Sequence, residues 1–300
     1  MVKINTVAVI SPGDMGHAVG QSLLEHGLDV ITCLVGRSTR TQNLSRQANI
    51  REVATLEDLV TQADLILSIL VPSEALRVAI EMGKALLNTG ANTYFVDCNA
   101  ISPQKTLELE SVISDSGGRY IDASIIGSPP GRQQPPRFYV SGAHHQAMTQ
   151  LNDMGISIRT LGDEVGKASG IKMCYAGLTK GTTALHVALL TAAEVSGLAE
   201  DLFMELKYSQ SNTLKEMEAR IPRIPANAFR WIGEMDEIAD TYSHLGVTPN
   251  FHRGAADVYQ LLSQTPYASE NAESIDPNRT LRETIQALVP LLPLPPDESG

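Results

Sequence analysis

Cysteine, tryptophan and basic charge are scarce in this chain of 300 residues. Its three cysteines, Cys33, Cys98 and Cys174, are odd in number and lie in apolar runs, which predicts reduced core thiols in a cytoplasmic protein rather than a disulfide framework. No histidine or cysteine spacing predicts a metal site. No apolar run reaches about 18 residues, so no membrane span is expected. The net charge of −11 disfavours a nucleic-acid partner, which requires a basic face.

A glycine-containing turn follows the first apolar run. Residues 6–10 are a β-branched strand pattern, and residues 11–16 read Ser-Pro-Gly-Asp-Met-Gly before an apolar-periodic helix. A helix start offers unpaired N–H groups and partial positive charge, which suit a pyrophosphate. In the dinucleotide-binding pattern Gly-x-Gly-x-x-Gly, Ser11 replaces the first glycine. An ordinary βα turn is the alternative, but we predict a dinucleotide site formed by Gly13, Asp14, Met15 and Gly16.

The residues after the second predicted strand, 29–35, indicate which dinucleotide is bound. NAD-binding proteins usually place an acidic residue near the end of this strand, where it accepts hydrogen bonds from the ribose hydroxyls. Here the sequence reads Gly-Arg-Ser-Thr-Arg over residues 36–40. Guanidinium and hydroxyl groups suit a 2′-phosphate. We therefore predict NADP rather than NAD, bound by Arg37, Ser38 and Arg40, although a solvated surface turn is the alternative.

Strand and helix patterns alternate as far as residue 162, and only helical patterns follow. This order predicts an α/β protein, with a Rossmann-like, doubly wound, mostly parallel sheet over residues 1–162 and an all-α domain over residues 163–300. The helical half is expected to begin with one long helix over residues 163–198. Further helices are expected near residues 200–218, 229–245, 251–264 and 279–288. The proline-rich residues 289–300 are expected to be extended or disordered.

The order of these motifs resembles the β-hydroxyacid dehydrogenase family, the relatives of 6-phosphogluconate dehydrogenase and 3-hydroxyisobutyrate dehydrogenase. The resemblance covers nearly the whole chain, with a divergent helical half. Residues 13–16 are similar to the family's Gly-x-Met-Gly loop. Residues 96–103 resemble its segment near the nicotinamide, with Asn99 at a position where serine is usual. The resemblance implies that Asn99 lies at the cofactor, and Val71, at the end of a predicted strand, is assigned to the same site.

Two more segments extend the resemblance to a substrate site. Residues 122–128 resemble the family's substrate-binding segment, although only one glycine of its usual Ser-Gly-Gly ending is retained. Residues 166–176 resemble the start of its interdomain helix, with a tyrosine and an alanine where asparagines are usual. The resemblance implies that Lys172 is the catalytic residue and that Ser124 and Gly127 line the substrate site. Tyr175 lies one turn after Lys172 on the same helix face and is assigned to substrate, as a hydroxyl donor in place of the missing asparagine or as a cover, with packing as the alternative.

The expected function is hydride transfer between NADP and a small polar alcohol or carbonyl compound. The reaction needs a group that takes the hydroxyl proton in oxidation and donates it in reduction, and a lysine can do so when burial lowers its pKa. Lys172 lies in an apolar stretch, residues 171–176, where a charge is unfavourable without a task or a partner. A lysine that extends to the surface is the simpler alternative.

Other interpretations stay open. An imine reductase has a similar architecture but usually lacks the lysine, and a non-catalytic NADP-binding protein could use the same fold. Arg132 and Arg137 follow Gly127 and either pair with an anionic substrate or are solvated. The expected partners are a small-molecule substrate and a second copy of the chain in a homodimer, which would cover the apolar helical half.

Overall fold

The protein consists of two compact units. The computed structural model describes residues 2–132, 134–271 and 273–293. Contacts group the chain into residues 1–174 and residues 175–300. The change from strands to helices lies near residue 162, whereas the division between the units falls inside a long helix.

The first unit is built on an eight-stranded sheet. Its strands are β1 (Thr6–Ile10), β2 (Asp29–Thr32), β3 (Arg51–Glu52), β4 (Leu65–Ser68), β5 (Tyr94–Asp97), β6 (Arg119–Ile126), β7 (Arg137–Ser141) and β8 (Ser157–Thr160). The strand order is 3-2-1-4-5-6-7-8, and every neighbouring pair is parallel except β6 and β7. The first six positions follow the order of a doubly wound dinucleotide-binding sheet. The predicted Rossmann-like, mostly parallel sheet is confirmed.

Helices cover both faces of this sheet. They are α1 (Gly16–Glu25), α2 (Thr39–Gln47), α3 (Leu56–Gln62), α4 (Ala75–Thr89) and α5 (Pro103–Asp115). Val7 and Val9 of β1 pack into one apolar core with α1, whereas Ala8 and Ile10 pack into a second core with α3, α4 and α5. Because both faces of a parallel sheet are buried, its strands are continuous apolar runs rather than alternating ones.

Hydroxyl side chains fix where several of these helices begin. Ser38 accepts a hydrogen bond from the backbone N–H of Thr41 at 3.2 Å, and Thr55 accepts one from that of Asp58 at 3.0 Å. Ser102 does the same at the start of α5, directly before a proline at the first helical position. Each cap satisfies an N–H group that has no partner within its own helix.

The second unit contains helices and connecting turns, with no strand among its described residues. Helix α6 (Lys167–Val195) contains the division between the units, and the following helices are α7 (Ala199–Ser209), α8 (Ser211–Arg220), α9 (Pro225–His244), α10 (Asn250–Leu262) and α11 (Leu281–Gln286). No helix among the described residues is long and apolar enough to cross a membrane. Large apolar side chains such as Leu185 and Met204 are exposed, and the homodimer expected from such faces stays a prediction.

Some element boundaries differ from the expectation. The helix expected over residues 200–218 is divided into α7 and α8, because Gln210 leaves the helical conformation with φ −135° and ψ 40°. Short polar side chains on either side of Gln210 favour such a turn. Helix α6 begins later than expected, after Gly162 and Gly166, which both have positive φ. Of the proline-rich end, Val289–Leu291 form a 3₁₀ turn, and residues 294–300 lie outside the described residues.

Two aspartates lie opposite each other inside the sheet. Asp97 of β5 and Asp122 of β6 are register partners, and both are fully buried. Burial and the neighbouring Asp122 carboxyl raise the pKa of Asp97 to about 8. Burial also raises the pKa of Asp122, against the opposing effect of hydrogen bonds from Ser169 and Ser141. At neutral pH the sheet therefore favours a protonated Asp97.

We expect Asp97 to make the stability of the protein depend on pH. Its carboxyl ionises near pH 4 in the unfolded chain and near pH 8 in the folded one, so the folded state holds an extra proton between these values. The contribution of this proton to the free energy of unfolding is complete below about pH 4 and is lost as the pH rises through about 8. Relative to wild type, Asp97→Asn should gain up to about 1.4 kcal/mol of unfolding free energy per pH unit in this range.

Denaturant unfolding at intervals between about pH 5 and pH 8 measures this difference. The control is Asp257→Asn, which changes an exposed carboxylate on α10. A stability difference between wild type and Asp97→Asn that stays constant over the range would contradict the expectation.

Candidate cofactor and active site

The first βα turn contains one residue in a backbone conformation that favours glycine and one glycine that packs closely against the strand. Ser11 has φ 60°, in the left-handed region that favours glycine. Gly16 lies close to the strand, because a Cβ there would be 3.0 Å from the carbonyl oxygen of Ser11 and 3.2 Å from Cγ1 of Val9. At Gly13 the nearest such atom would be 3.9 Å away. Ser11 therefore adopts a conformation that glycine would adopt more easily, and close packing requires glycine at position 16.

The start of α1 is suited to an anion. Met15, in the N-cap position, provides no side-chain hydrogen bond, and the first turn contains no acidic residue. Helix N–H groups that lack partners, together with the partial positive charge of the helix end, bind phosphate groups. With the space beside Gly13, these features fit the pyrophosphate of a dinucleotide.

The three residues predicted to bind a 2′-phosphate have different surroundings. Arg40 donates to Asp14 at 2.6 Å, which joins the end of β2 to the loop. Ser38 uses its hydroxyl to cap α2. Arg37 is half-buried, and its Nε has no hydrogen-bond partner in the described part of the chain. Burial and the nearby Arg77 guanidinium lower the pKa of Arg37. Of the three, Arg37 is therefore the side chain that would gain most from an added phosphate.

Asn99 joins the carboxyl ends of β4 and β5. Its amide nitrogen donates to the carboxyl of Asp97 and, at 3.3 Å, to the hydroxyl of Ser68. Its amide oxygen accepts from the backbone N–H of Leu70. Asn99 is buried, whereas Val71 lies at the surface beside Leu70 and is 37% exposed. Their roles at a cofactor stay predictions. The hydrogen bonds of Asn99 hold the carboxyl ends of β4 and β5 together.

Asp122 attaches the first turn of α6 to β6. Its Oδ2 accepts hydrogen bonds from the backbone N–H groups of Gly166, Ala168 and Ser169 at 2.9, 3.0 and 3.2 Å. The hydroxyl of Ser169 donates to Oδ1 at 2.6 Å, and that of Ser141 donates to Oδ2 at 2.8 Å. A carboxylate at a helix N-terminus pairs with otherwise unsatisfied N–H groups and with the positive end of the helix dipole. The start of α6 is thereby fixed against the sheet.

Lys172 lies in the following turn of α6, beside the carboxyl end of β6. Its Nζ donates to the carbonyl oxygen of Ile125 at 2.7 Å. Ser124, which precedes Ile125 on β6, is fully buried, and its Oγ has no hydrogen-bond partner among the described residues. Gly127 is exposed and has φ 121°. The structure thus brings Lys172, Ser124 and Gly127 to one place, while their chemical roles stay predictions.

Tyr175 follows three residues after Lys172 on the same helix. It belongs to the second unit and is 46% exposed. Its assignment to substrate stays a prediction.

Sequence reasoning gave no role to Asp97 or Asp122, although both matter at this edge. The available signal was an acidic residue inside an apolar strand, because a buried carboxyl group needs hydrogen-bond donors or a raised pKa. The partners of Asp122 are distant in sequence, so the pattern alone could not identify them.

The sheet order and the loop after β1 define an α/β protein of the dinucleotide-binding class. The family model for the NAD binding domain of 6-phosphogluconate dehydrogenase matches residues 6–160, just over half of the chain. The chain belongs to this family, and the resemblance to β-hydroxyacid dehydrogenases is confirmed. A domain of unknown function (DUF1932) matches residues 193–262, within the helical half.

Solved structures share this fold. A conserved protein of unknown function, described as similar to 3-hydroxyacid dehydrogenases, is 30% identical, with coverage of 86% of this chain and 98% of its own and a TM-score of 0.62. Mycobacterium tuberculosis 3-hydroxyisobutyrate dehydrogenase, solved with L-serine, is 18% identical over 95% and 99% of the two chains, with a TM-score of 0.67. A Myxococcus stipitatus imine reductase in complex with NADP+ is 19% identical over 86% and 92%, with a TM-score of 0.51. The last two likenesses show the fold alone.

The two glycines of the loop provide a matched test of the cofactor site. Gly16→Ala should lower the unfolding free energy by about 1–3 kcal/mol, because the added methyl group meets a backbone carbonyl and a β1 side chain. Gly13→Ala should stay within about 0.5 kcal/mol of wild type, because its methyl group meets no close protein atom. Both variants should bind NADPH more weakly, since both methyl groups alter the turn that is predicted to bind the phosphates.

Thermal or denaturant unfolding and an NADPH titration of each variant separate the two effects. The informative variant is Gly13→Ala, for which we expect reduced binding at unchanged stability. Wild-type affinity for NADPH in Gly13→Ala would show that the phosphates bind elsewhere.

Proposed function

We propose that this protein is an NADP-dependent oxidoreductase of the β-hydroxyacid dehydrogenase type, acting on a small polar alcohol or its carbonyl form. The observation that carries the proposal is the position of Lys172, whose Nζ is held by the Ile125 carbonyl at the carboxyl end of β6. Ligands of doubly wound sheets bind outside the carboxyl ends of the strands. A proton-transferring group at this edge is therefore where a substrate beside a dinucleotide would need it.

Residues of the first unit would hold the dinucleotide. Gly13, Gly16 and the start of α1 would bind the pyrophosphate, and Arg37 would bind the 2′-phosphate. The nicotinamide would supply or accept hydride. Support for NADP over NAD comes from the half-buried Arg37 and from residues 36–40, which include no carboxylate to accept ribose hydroxyls.

Lys172 would hold and move the substrate proton. In reduction its ammonium group donates a proton to the oxygen of the carbonyl compound, and in oxidation the amine takes the proton from the hydroxyl. The hydrogen bond to Ile125 limits where Nζ can lie, and Asp122 fixes the helix that carries the side chain. Such positioning reduces the entropic cost of bringing the reacting groups together.

An imine reductase is the second candidate. Two departures from the sequence pattern of the hydroxyacid enzymes favour it, the altered ending of residues 122–128 and Tyr175 at a position where asparagine is usual. Retention of Lys172 favours the alcohol reaction.

The first experiment measures turnover by wild type and Lys172→Ala. Wild type, supplied with NADPH or NADP+, is tested on hydroxy acids including L-serine, on aldehydes and on cyclic imines. We expect Lys172→Ala to lower kcat by about 10²–10⁴ on the alcohol or carbonyl substrate, because general acid–base catalysis is lost, at unchanged NADPH affinity. Lys167→Ala, which removes an exposed lysine of the same helix, is the control and should keep kcat.

The outcomes distinguish the candidates. NADPH-dependent turnover of a cyclic imine alone, unaffected by Lys172→Ala, would replace the proposal with the imine reductase. Binding of NADPH without turnover of any of these substrate classes would contradict both enzymatic functions.

The predicted cofactor preference has its own test. We expect wild type to bind NADPH more tightly than NADH, and Arg37→Gln to weaken NADPH binding about 10-fold or more, since a charged hydrogen bond contributes about 1.5–3 kcal/mol. NADH binding should change little. Titrations followed by nicotinamide fluorescence measure both, with Arg46→Gln on α2 as the control. Equal affinity of wild type for the two nucleotides would contradict the assignment of Arg37.

A further inference from the structure

Helices α6 and α8 of the second unit form a groove that the proposed reaction does not use. This α6–α8 groove has a volume of about 260 Å³. It is lined by apolar side chains, by Thr179, Thr183 and His186 of α6, and by Glu216 and Arg220 of α8. A water molecule takes up about 30 Å³ in the liquid, and sites for drug-sized ligands measure about 300–1,000 Å³. The groove therefore has room for a small organic molecule.

Helix periodicity explains why polar side chains meet in the groove. Residues 179, 183 and 186 are spaced four and three apart, so they lie on one face of α6. Glu216 and Arg220 are four apart and share a face of α8. The lining also includes Met217 and Ile221, which are buried. The groove thus combines buried apolar surface with a few polar groups, as small-molecule sites do.

The two charged residues of α8 do not pair with each other. A glutamate and a basic residue four positions apart on a helix commonly form an ion pair, above all when the glutamate comes first. Arg77 and Glu81 of α4 form such a pair at 2.6 Å although their order is the less favourable one. Within the described residues, neither Glu216 nor Arg220 forms a salt bridge. Both charges are therefore available to a ligand.

Two threonine hydroxyls add hydrogen-bond acceptors to the groove. Oγ1 of Thr179 donates to the carbonyl oxygen of Tyr175 at 3.1 Å, and Oγ1 of Thr183 donates to that of Thr179 at 2.8 Å. Because each hydroxyl proton is used within the helix, the oxygen can only accept a hydrogen bond from a ligand. An ammonium group donates three hydrogen bonds and accepts none. The threonine oxygens and the carboxylate of Glu216 therefore suit an ammonium group.

His186 lies within reach of both charges of α8. Burial lowers the pKa of His186, the negative charge of Glu216 raises it, and the positive charge of Arg220 lowers it. An imidazole with a lowered pKa is uncharged at neutral pH. The described lining therefore carries one negative and one positive charge, so that a ligand with one charge of each sign matches it.

We propose that the α6–α8 groove binds a small zwitterion, an aminocarboxylate such as a free amino acid. Its ammonium group contacts Glu216 and the threonine oxygens. Its carboxylate contacts Arg220, since a guanidinium binds a carboxylate through paired N–H groups. Cβ atoms four residues apart on a helix are separated by about 5–6 Å, so the two charged groups of the ligand are a few bonds apart. The site is independent of the reaction proposed at Lys172.

The first test measures the binding of zwitterions that differ in the separation of their charges. Glycine, β-alanine and γ-aminobutyrate are titrated, and acetate and methylammonium chloride are the probes with a single charge. Thermal unfolding is followed for wild type, for Glu216→Gln/Arg220→Gln and for the control Lys215→Gln/Glu218→Gln, which changes two exposed charges of the same helix. We expect at least one zwitterion to raise the Tm of wild type and of the control, and to affect the first double variant only at about ten-fold higher concentration or more, because charged hydrogen bonds are lost.

The comparison separates a specific site from a general effect of the solution. Solutes that are excluded from protein surfaces stabilise the folded state without a binding site, and they should act equally on wild type and Glu216→Gln/Arg220→Gln. Equal Tm shifts in these two proteins, or no shift with any zwitterion, would overturn the inference. An effect of acetate or methylammonium as large as that of the zwitterions would also overturn it, because one charge would then be sufficient.

The second test asks whether a second copy of the chain occupies the groove instead. Sedimentation measures the oligomeric state of wild type and of Glu216→Gln/Arg220→Gln, and calorimetric titration measures the stoichiometry of the most effective zwitterion. We expect the same oligomeric state in both proteins and one zwitterion bound per chain in wild type. Dissociation of the variant, together with no zwitterion binding to wild type, would identify the groove as a contact between copies. NADPH affinity should be equal in both proteins, so a failure of the proposed reaction leaves this result unaffected.

Discussion

The carboxyl group of Asp122 is the interaction on which the candidate active site depends. It accepts hydrogen bonds from backbone N–H groups at the start of α6 and from the hydroxyls of Ser141 and Ser169. Each of these donors, if it lost its acceptor, would lower the free energy of unfolding by about 1–3 kcal/mol. The hydrogen bonds therefore stabilise a helix that begins at this point of β6. Helix geometry then places Lys172 about 6 Å further along the axis than Ala168. The contact between Nζ and Ile125 is thus a consequence of where α6 starts.

The two buried aspartates have different environments although they are register partners. Asp122 is surrounded by hydrogen-bond donors. Asp97 accepts one hydrogen bond, from the side-chain amide of Asn99, and its Oδ2 has no hydrogen-bond partner among the described residues. Two adjacent carboxyl groups cannot both ionise easily at low dielectric, so Asp122, which accepts more hydrogen bonds, is the one that can carry charge. A neutral Asp97 can then belong to the network of Asn99 and Ser68 that orders the ends of β4 and β5. The two acids thereby organise neighbouring parts of one sheet edge.

Local sequence patterns predicted most of the fold and less of the site. The strand β7 and the cap at Thr55 follow from apolar pattern and capping chemistry, which involve residues close in sequence. The loop could be recognised, but the left-handed conformation of Ser11 depends on how the whole turn packs against β1. The contacts of Asp122 with residues 166–169 join parts of the chain more than forty positions apart. The face to which Arg137 points depends on strand register, which a slip of one residue would reverse.

The arginines of the first unit differ in whether they have an acidic partner. Arg40 has an acidic partner in the loop, whereas Arg37, after β2, and Arg137, opposite the end of β6, have none among the described residues. Five strand spacings separate β2 from β7, the strand of Arg137, in the sheet order, about 24 Å at about 4.8 Å each. One small molecule cannot neutralise both guanidinium groups over that distance. A dinucleotide with its 2′-phosphate at Arg37, as proposed above, would therefore leave Arg137 without an anionic partner.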